Sequence, residues 1–235
     1  MTTAPLPQVL AFDIFGTVVD WHGSISREVN ALQLGVDVGE FALAWRAGYQ
    51  PAMQRVMGGE LGWTLIDDLH RMMLNDILKK FMITHLDEAQ KRHLNKVWHR
   101  LDAWPDSVQG LTRLKSKFTI CSLSNGNLGL LTNMAKRAGL PWDCVLSAEV
   151  FKAYKPHPST YLGVAKVFDL PPQEVMLVAA HHDDLAAARA CGLQTAYIER
   201  PLEFGAAKPK DVSPQAANLY HAKDLNALAD QFGCL

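Results

Sequence analysis

The stretch VLAFDIFGT, residues 9–17, decides how this chain folds. Its first four residues are all apolar and predict a short buried strand, Asp13 follows directly, and Gly16 lets the backbone turn sharply away. In a parallel sheet, ligand-binding groups gather at the carboxyl ends of the strands, and the N–H groups of such a turn face a small anion. The stretch therefore predicts a carboxylate delivered to a site, with a purely structural strand-capping aspartate as the alternative.

Further apolar runs repeat the strand pattern along the chain, at residues 118–123, 144–146, 175–178 and 195–198. Helical patterns separate them, and two of these helical runs are closed by Gly139 and Gly192, as is typical of helix C-termini. Apolar strands that alternate with helices indicate a parallel sheet covered on both faces. The fold class predicted for the outer parts of the chain is α/β.

The stretch from residue 21 to residue 98 differs because its apolar residues recur only with helical spacing. Pro51 is expected to kink or break one of these helices. We predict a helical cap at residues 21–98, inserted into a core made of residues 1–20 and 99–235. The two points at which the chain passes between core and cap, near residues 20 and 100, would act as the hinge of the cap.

The composition excludes several classes of protein. With 23 Lys and Arg against 24 Asp and Glu, the formal net charge is −1, which argues against phosphate-driven nucleic-acid binding and polybasic membrane attachment. No apolar run approaches the roughly 20 residues of a membrane span. Residues 1–7 lack the features of a secretory signal, and the four cysteines form no CxxC pair. We expect a cytoplasmic protein with reduced thiols.

Three other loops carry polar side chains that are suited to chemistry. They are the LSNG stretch at residues 123–126, Lys155 with Pro156 ahead of Tyr161, and the AAHHDD stretch at residues 179–184. A residue before proline is held extended, so Lys155 is well placed to point inward. Each loop also has a structural reading: a helix-capping turn, a solvated lysine and a capping acid, respectively.

The order of these loops resembles that of the haloacid dehalogenase (HAD) superfamily over nearly the whole chain. The resemblance implies a Rossmann-like parallel sheet core with an inserted all-helical cap. Phosphatases of this superfamily resemble DxDxT, and their second aspartate protonates the leaving alcohol. Phe15 stands at that position here. General acid catalysis contributes roughly 10²–10⁴-fold, whereas a halide leaves without a proton, so Phe15 favours dehalogenation.

The L-2-haloacid dehalogenase (type II) branch resembles D-x-Y/F-G-T, a WR pair in the cap, LSNG, KPxxxxY and SSNxWD. The matching residues are Asp13, Phe15, Gly16 and Thr17, Trp45 and Arg46, residues 123–126, Lys155, Pro156 and Tyr161, and Asp184. The chain departs from the pattern at Ala179, where serine is usual, at His181, where asparagine is usual, and at Asp183, where tryptophan is common. These departures bear on the contacts of the last loop.

The resemblance implies a mechanism in two steps. Asp13 displaces halide from the α-carbon of a 2-haloacid, and water then hydrolyses the aspartyl ester to a 2-hydroxy acid. Lys155 would keep Asp13 ionised, and Asp184, with His181, would position the water. Thr17 and Tyr161 would orient Asp13 and Lys155. No cofactor or metal is expected.

The remaining residues are expected to bind the substrate. Ser124 and the N–H groups after Asp13 would hold the substrate carboxylate. Arg46 and Asn125 would receive the halide, with Phe15 and Trp45 on the apolar wall. The family implies the L (S) enantiomer and often a homodimer, with neither nucleic acid nor membrane as a partner.

Several alternatives remain open from the sequence. His22, His181 and His182 raise the possibility of a hydrogen-bonding halide pocket that accepts fluoride, and thus of activity on fluoroacetate. A Mg²⁺-dependent HAD phosphatase would instead use Asp13 with the acids at 183 and 184 as metal ligands. A catalytically silent fold used for binding, and displacement that opens a strained ring, are the other readings.

Overall fold

A computed structural model describes residues 5–235 of the chain. Residues 1–4, part of the segment in which no secretory signal is expected, lie outside the described residues. Six parallel strands form the central sheet in the order β5-β4-β1-β6-β7-β8. They are β1 (Val9–Phe12), β4 (Thr119–Ser124), β5 (Cys144–Ser147), β6 (Val175–Ala179), β7 (Gln194–Ile198) and β8 (Tyr220–Ala222), while β2 (Val19–Asp20) and β3 (Asp102–Ala103) form an antiparallel ladder of their own.

Helices connect the strands and supply the inserted segment. They are α1 (Trp21–Ala31), α2 (Val38–Ala47), α3 (Tyr49–Met57), α4 (Ile66–Lys80), α5 (Glu88–Asn95), α6 (Ser107–Lys115), α7 (Leu128–Ala138), α8 (Ala148–Phe151), α9 (Pro158–Val167), α10 (His182–Ala190) and α11 (Leu225–Gln231). Two 3₁₀ turns cover Lys96–His99 and Pro172–Glu174. The predicted α/β class with a parallel sheet and an inserted helical cap is confirmed. The short strand β8 was not predicted, because its three residues YHA lack an apolar run.

The sheet is buried on both faces, which explains its apolar strands. Side chains alternate along β1, so that Leu10 and Phe12 pack on one face while Val9 and Ala11 pack on the other. Residues of α6, α7 and α11 cover the first face, and residues of α9 and α10 cover the second. The switch point of the sheet lies at β1, between β4 and β6, so the end of β1 opens into a crevice.

Helices α1 to α5 lie between β2 and β3, the ladder at which the chain leaves the core and returns to it. The break predicted at Pro51 occurs at Gly48 instead, and Pro51 occupies the first turn of α3, where a missing N–H costs no hydrogen bond. The boundaries of the cap at residues 21 and 98 stay a prediction. Within residues 5–235, none of the helices combines the length and apolar character needed to cross a bilayer.

Candidate active site

A cavity of about 500 Å³ opens at the carboxyl ends of the central strands, between core and cap. The core contributes Asp13, Phe15, Asn125, Tyr154, Lys155, Pro156, His157, Tyr161, His181, Asp183 and Asp184, and the cap contributes Arg46, Tyr49, Gln50, Met53, Gln54 and Met57. The sequence predicted eight of these as site residues. The fold brings them together because the loops that follow β1, β4 and β6 share one edge of the sheet.

Asp13 is held at both carboxylate oxygens. Lys155 Nζ donates to Oδ1 at 3.0 Å, while the Thr17 hydroxyl donates to Oδ2 at 2.8 Å. Thr17 is itself fixed, because the N–H of Ala180 donates to its Oγ1 at 2.9 Å. Burial raises the pKa of Asp13, but Lys155, His181 and Thr17 more than offset this, so that the pKa lies well below its usual range. The carboxylate is therefore ionised and fixed in orientation.

Lys155 lies between two carboxylates. Its Nζ also donates to Asp184 Oδ2 at 2.6 Å, and the Tyr161 hydroxyl donates to Asp184 Oδ1 at 2.6 Å. Tyr161 was expected to orient Lys155, but it contacts Asp184 instead, because α9 places its hydroxyl beside the first turn of α10. Burial lowers the pKa of Lys155, but the two acids reverse this, so that its pKa lies above the usual value. Burial, together with the nearby Asp13, raises the pKa of Asp184 against the opposing effect of Lys155.

His181 connects Asp13 to a buried acid that the sequence did not single out. Its Nδ1 lies 3.1 Å from Asp13 Oδ2, and its Nε2 lies 2.8 Å from Glu203 Oε1. Glu203 is fully buried, and its carboxylate also accepts bonds from Lys210 Nζ at 2.6 Å and Trp21 Nε1 at 3.2 Å. Charges of alternating sign thus run from Asp13 outward to Lys210.

The protonation states agree with this chain of contacts. Burial lowers the pKa of His181, but Glu203 and Asp13 outweigh it and raise the pKa to about 9. Burial raises the pKa of Glu203, but His181 and Lys210 reverse this and lower it to about 2. At neutral pH His181 is therefore an imidazolium whose two N–H groups donate to two carboxylates.

No motif marked Glu203 or Lys210 in the sequence. Residues 205–214, with the Lys208-Pro209 step and Pro214, are interpreted from the sequence as a loose surface loop without a role. In the structure the loop is anchored from both ends: Arg200 Nε donates to the carbonyl of Thr17 at 2.9 Å, and Lys210 N–H donates to the carbonyl of Pro201 at 2.8 Å. Position in the fold was the one feature that could have indicated these two residues. Their loop follows β7, and β7 lies next to β6 in the sheet, so the loop begins at the same sheet edge as the site.

Arg46 brings a cation from the cap. Its guanidinium carbon lies 4.1 Å from the centre of the Tyr49 ring, a cation–π contact. Within residues 5–235, its buried Nη1 atom has no hydrogen-bond partner. A buried N–H without a partner is costly, so the atom is suited to an anion that enters the cavity.

Phe15 places an apolar ring between core and cap. It packs edge-on against Trp98, at 5.6 Å between ring centres, and against Tyr49, at 6.1 Å. The ring is buried yet lines the cavity. The position two residues after Asp13 therefore supplies hydrophobic packing and no proton donor.

The two polar residues after β4 behave differently. Asn125 lines the cavity and accepts a hydrogen bond from the Lys155 N–H at 2.7 Å, which fixes the backbone that carries the lysine. Ser124 is fully buried behind the wall, where its Oγ accepts a bond from the Gly126 N–H at 3.1 Å. The predicted contact of Ser124 with the substrate carboxylate stays a prediction.

Three residues that the sequence placed near the substrate lie elsewhere. Trp45 is fully buried in the cap core, where its Nε1 donates to the carbonyl of His70 at 3.1 Å, so it does not line the cavity. Helix α2 turns Trp45 inward because neighbouring residues point in different directions, and only Arg46 reaches the site. His182 stacks on Tyr197, at 4.1 Å between ring centres, and His22 also lies outside the cavity wall.

The donor set of the site does not fit a metal-dependent phosphatase. Among residues 5–235, no group of three or more His, Cys, Asp or Glu side chains is arranged to hold a metal ion. The ammonium of Lys155 occupies the space between the carboxylates of Asp13 and Asp184, at hydrogen-bond distance from both. Phe15 adds no oxygen ligand.

Comparison with known proteins identifies the class to which this fold and this site belong. Residues 7–192 match the family model described as haloacid dehalogenase-like hydrolase. The chain belongs to this family, as the sequence predicted.

Particular relatives narrow the likeness. (S)-2-haloacid dehalogenase 4A of Burkholderia cepacia is 30% identical over 197 residues, which cover 80% of this chain and 81% of the relative. The crystal structure of the L-2-haloacid dehalogenase PA0810 is 44% identical, with a TM-score of 0.91, over 97% of this chain and 100% of that one. That of the defluorinating L-2-haloacid dehalogenase Rha0230 is 43% identical, with a TM-score of 0.93, over 97% and 96% of the two chains.

Proposed function

We propose that this protein is an (S)-2-haloacid dehalogenase, a hydrolase that converts short 2-haloalkanoic acids to 2-hydroxy acids through an ester on Asp13. The observation that carries the proposal is an ionised Asp13 that shares its cavity with Arg46, whose buried Nη1 has no hydrogen-bond partner among residues 5–235. A nucleophilic anion and a free cation suit a substrate that carries a carbon–halogen bond and releases an anion. The similarity to haloacid dehalogenases over most of their length supports this assignment.

In the first step, Asp13 attacks the α-carbon as the carbon–halogen bond breaks, and the electron pair leaves with the halide. Lys155 supports the attack by keeping Asp13 ionised at neutral pH. Arg46 receives the departing halide together with Asn125, and the ring of Phe15 keeps water away from the reacting carbon. A halide needs no proton, which agrees with an apolar residue at the position of a general acid.

In the second step, water attacks the ester carbon of Asp13. Asp184 is the group suited to receive the proton of this water, because it is fixed by Lys155 and Tyr161 and its pKa is raised. Collapse of the intermediate releases the 2-hydroxy acid and restores Asp13. Every covalent step is carried by side chains of this chain and one water molecule.

The test is a halide-release assay with fluoro-, chloro- and bromoacetate and both enantiomers of 2-chloropropionate. We expect chloride release from the (S) enantiomer, and no release by Asp13→Asn. Fluoride release from fluoroacetate is the narrower proposal, supported by the likeness to a defluorinating relative. Unchanged turnover in Asp13→Asn would disprove the mechanism.

The same assay is run with EDTA and, in a parallel arm, with p-nitrophenyl phosphate and added Mg²⁺. Dehalogenation that resists EDTA agrees with the proposal. Phosphatase activity that depends on Mg²⁺, without halide release, would replace it with the phosphatase alternative. A cytoplasmic location and a homodimer also stay proposals, which fractionation of the source cells and light scattering of the purified protein test.

A further inference from the structure

The two oxygens of Asp13 have different surroundings. Oδ1 accepts one hydrogen bond, from Lys155, whereas Oδ2 accepts two, from Thr17 and His181. A carboxylate oxygen that accepts two bonds is the poorer nucleophile, so Oδ1 is the oxygen that attacks. Oδ2 then becomes the carbonyl oxygen of the ester and takes the negative charge when water adds to the ester carbon.

The donors at Oδ2 therefore lie where charge develops during ester hydrolysis. Electrostatic stabilisation of such an oxyanion by fixed donors is commonly the largest single contribution to acyl-transfer catalysis. Thr17 supplies a neutral O–H, and its Oγ1 accepts the Ala180 N–H, which aims the hydroxyl at Asp13. His181 supplies an N–H that carries positive charge whenever the ring is protonated.

Glu203 controls that charge. It is fully buried, lies 2.8 Å from His181 Nε2 on the side away from Asp13, and does not line the cavity. Its bonds to Lys210 and Trp21 satisfy the rest of the carboxylate, so the acid stays ionised without water.

Gly16 makes room for Glu203. A Cβ at this position would lie 2.2 Å from Glu203 Oε1, and the backbone φ of +88° adds a second reason for glycine. The glycine of the opening motif is thus required both for the turn and for the approach of this acid.

Building on the proposed function, we propose that Glu203 is a positioning residue of the ester-hydrolysis step. It fixes His181 as an imidazolium whose Nδ1–H, together with the Thr17 hydroxyl, stabilises the oxyanion at Oδ2 of Asp13. In this step the oxygen of water bonds to the ester carbon, the electron pair of the C=O bond moves to Oδ2, and the water proton passes to Asp184. Collapse breaks the bond between the ester carbon and Oδ1, and the departing hydroxy acid takes up that proton. The second proton of the water then leaves Asp13 for the solvent, which restores the carboxylate.

The variant Glu203→Gln tests the proposal, because glutamine keeps the shape of the side chain and removes its charge. We expect slower ester hydrolysis with alkylation of Asp13 little changed. With bromoacetate, kcat should fall roughly 10- to 100-fold, because the donor is weakened rather than removed and removal of a whole oxyanion donor costs about 10²–10³-fold, while kcat/KM stays near the wild-type value. Rapid-quench samples should show a bromide burst of about one equivalent per enzyme, and intact-protein mass spectrometry should show the ester.

A pH profile supplies a readout that a structural role would not change. The charged groups around His181 are Asp13 and Glu203 in direct contact, Lys155 and Asp184 beyond Asp13, and Lys210 beyond Glu203. Loss of the Glu203 charge leaves Lys210 to oppose the imidazolium. The alkaline limb of kcat, expected near pH 9 in the wild type, should therefore move to lower pH.

Glu199→Gln is the matched control. Glu199 lies just after β7, on the same loop as Glu203, and contacts His221 of β8 at 2.7 Å, outside the cavity. This variant should keep the wild-type kcat, bromide burst and alkaline limb of the pH profile.

His181→Asn, whose neutral amide replaces the imidazolium, should accumulate ester and lose the alkaline limb. The double variant H181N/E203Q should be no slower than H181N alone.

The outcomes separate this proposal from the proposed function. If the wild-type enzyme releases no halide, the proposed function itself is wrong. Halide release by the wild type, combined with a parallel fall of kcat and kcat/KM in E203Q and no ester, would overturn the role of Glu203. If E203Q does not fold, the H181N variant decides alone. Turnover by H181N at the wild-type rate, without accumulation of the ester, would overturn the proposal.

Discussion

On the core side of the cavity, Asp13, Lys155, Asp184 and His181 each contact a counter-charge, whereas the cap side offers Arg46, which has none within residues 5–235. The core groups come from loops on a rigid sheet edge and hold one another in a single arrangement. The cap cation rests on the face of an aromatic ring. The charges are therefore already paired on the core side, where covalent chemistry is proposed. On the cap side, where an anion is expected to bind, the positive charge of Arg46 has no counter-charge within residues 5–235.

Because of this difference, the two sides of the cavity should respond differently to mutation. A buried charge whose partner is removed destabilises the fold, so changes on the core side should cost both stability and activity. The buried Nη1 atom of Arg46 has no partner among residues 5–235, which is itself unfavourable, so removal of this cation from the cap should cost activity alone.

Replacing Lys155 by methionine should have the largest effect. Asp13 and Asp184 would then face each other without the ammonium between them, which we expect to lower the free energy of unfolding by about 3–5 kcal/mol at neutral pH. Turnover should fall roughly 10³-fold or more, because the pKa of Asp13 rises and the site loses a member that acts with others as a unit. Chemical denaturation and halide release measure the two effects.

Lys96→Met is the control for this variant. Lys96 contacts Asp67 at 2.7 Å, but its side chain is half exposed, so the pair contributes little. A stability loss in K155M no larger than in K96M would contradict the view that the core charges depend on one another.

Arg46→Met should separate activity from stability. Loss of the guanidinium removes about 2–4 kcal/mol of transition-state stabilisation, which is roughly a 30- to 1000-fold fall in kcat/KM. The melting temperature should stay the same or rise, because an unpartnered buried N–H disappears. Differential scanning fluorimetry and halide release on the same preparation measure both.

Arg100→Met provides the opposite pattern. Arg100 is partly buried and contacts Glu28 at 3.0 Å, outside the cavity, so its loss should reduce stability and leave kcat/KM unchanged. If R46M unfolds more easily than R100M, Arg46 also stabilises the fold, which would contradict the expectation that its loss costs activity alone.

The two sides also differ in how far the sequence predicted them. Asp13, Lys155 and Asp184 are predictable because parallel strands bring their carboxyl-end loops to one edge, which fixes the neighbourhood of each motif. Arg46 is predictable only through its pairing with Trp45 in a family pattern. Helical direction decided which of the two faces the cavity, and that depends on how α2 packs.

Glu203 shows what sequence reasoning does not reach. Its role depends on a loop that folds back from β7 and on a glycine 187 positions earlier that leaves space for it. Nothing in the local sequence distinguishes the buried Glu203 from acids that lie on the surface. Long-range packing, rather than spacing along the chain, makes it part of the site.

The pH dependence of stability sharpens the contrast on the core side. The pKa of Glu203, about 2, lies below its usual 4.5, so its contribution is present above pH 4.5 and is lost as the pH falls through 2. The pKa of His181, about 9, lies above its usual 6.5, so its contribution is present below pH 6.5 and is lost as the pH rises through 9.

The wild type should therefore exceed E203Q in free energy of unfolding most between about pH 4.5 and 6.5, with the gap narrowing on both sides. Urea denaturation across this range measures it. Glu199→Gln is again the control, because solvent weakens its partly exposed pair. A gap that stays constant with pH would mean that the charge of Glu203 does not support His181.

Trp45→Phe should have the smallest effect on activity and tests where the cap side of the cavity ends. The variant removes the indole N–H that donates to the carbonyl of His70, and it replaces a fully buried ring by a smaller one, so we expect the free energy of unfolding to fall by about 1–3 kcal/mol. Because Trp45 does not line the cavity, kcat/KM should change less than about twofold. Tyr49→Leu, which removes the ring beneath Arg46, should instead raise KM while leaving Trp45 in place. A rise in KM for W45F that equals that of Y49L would return Trp45 to the substrate wall and show that the cap repacks when substrate binds.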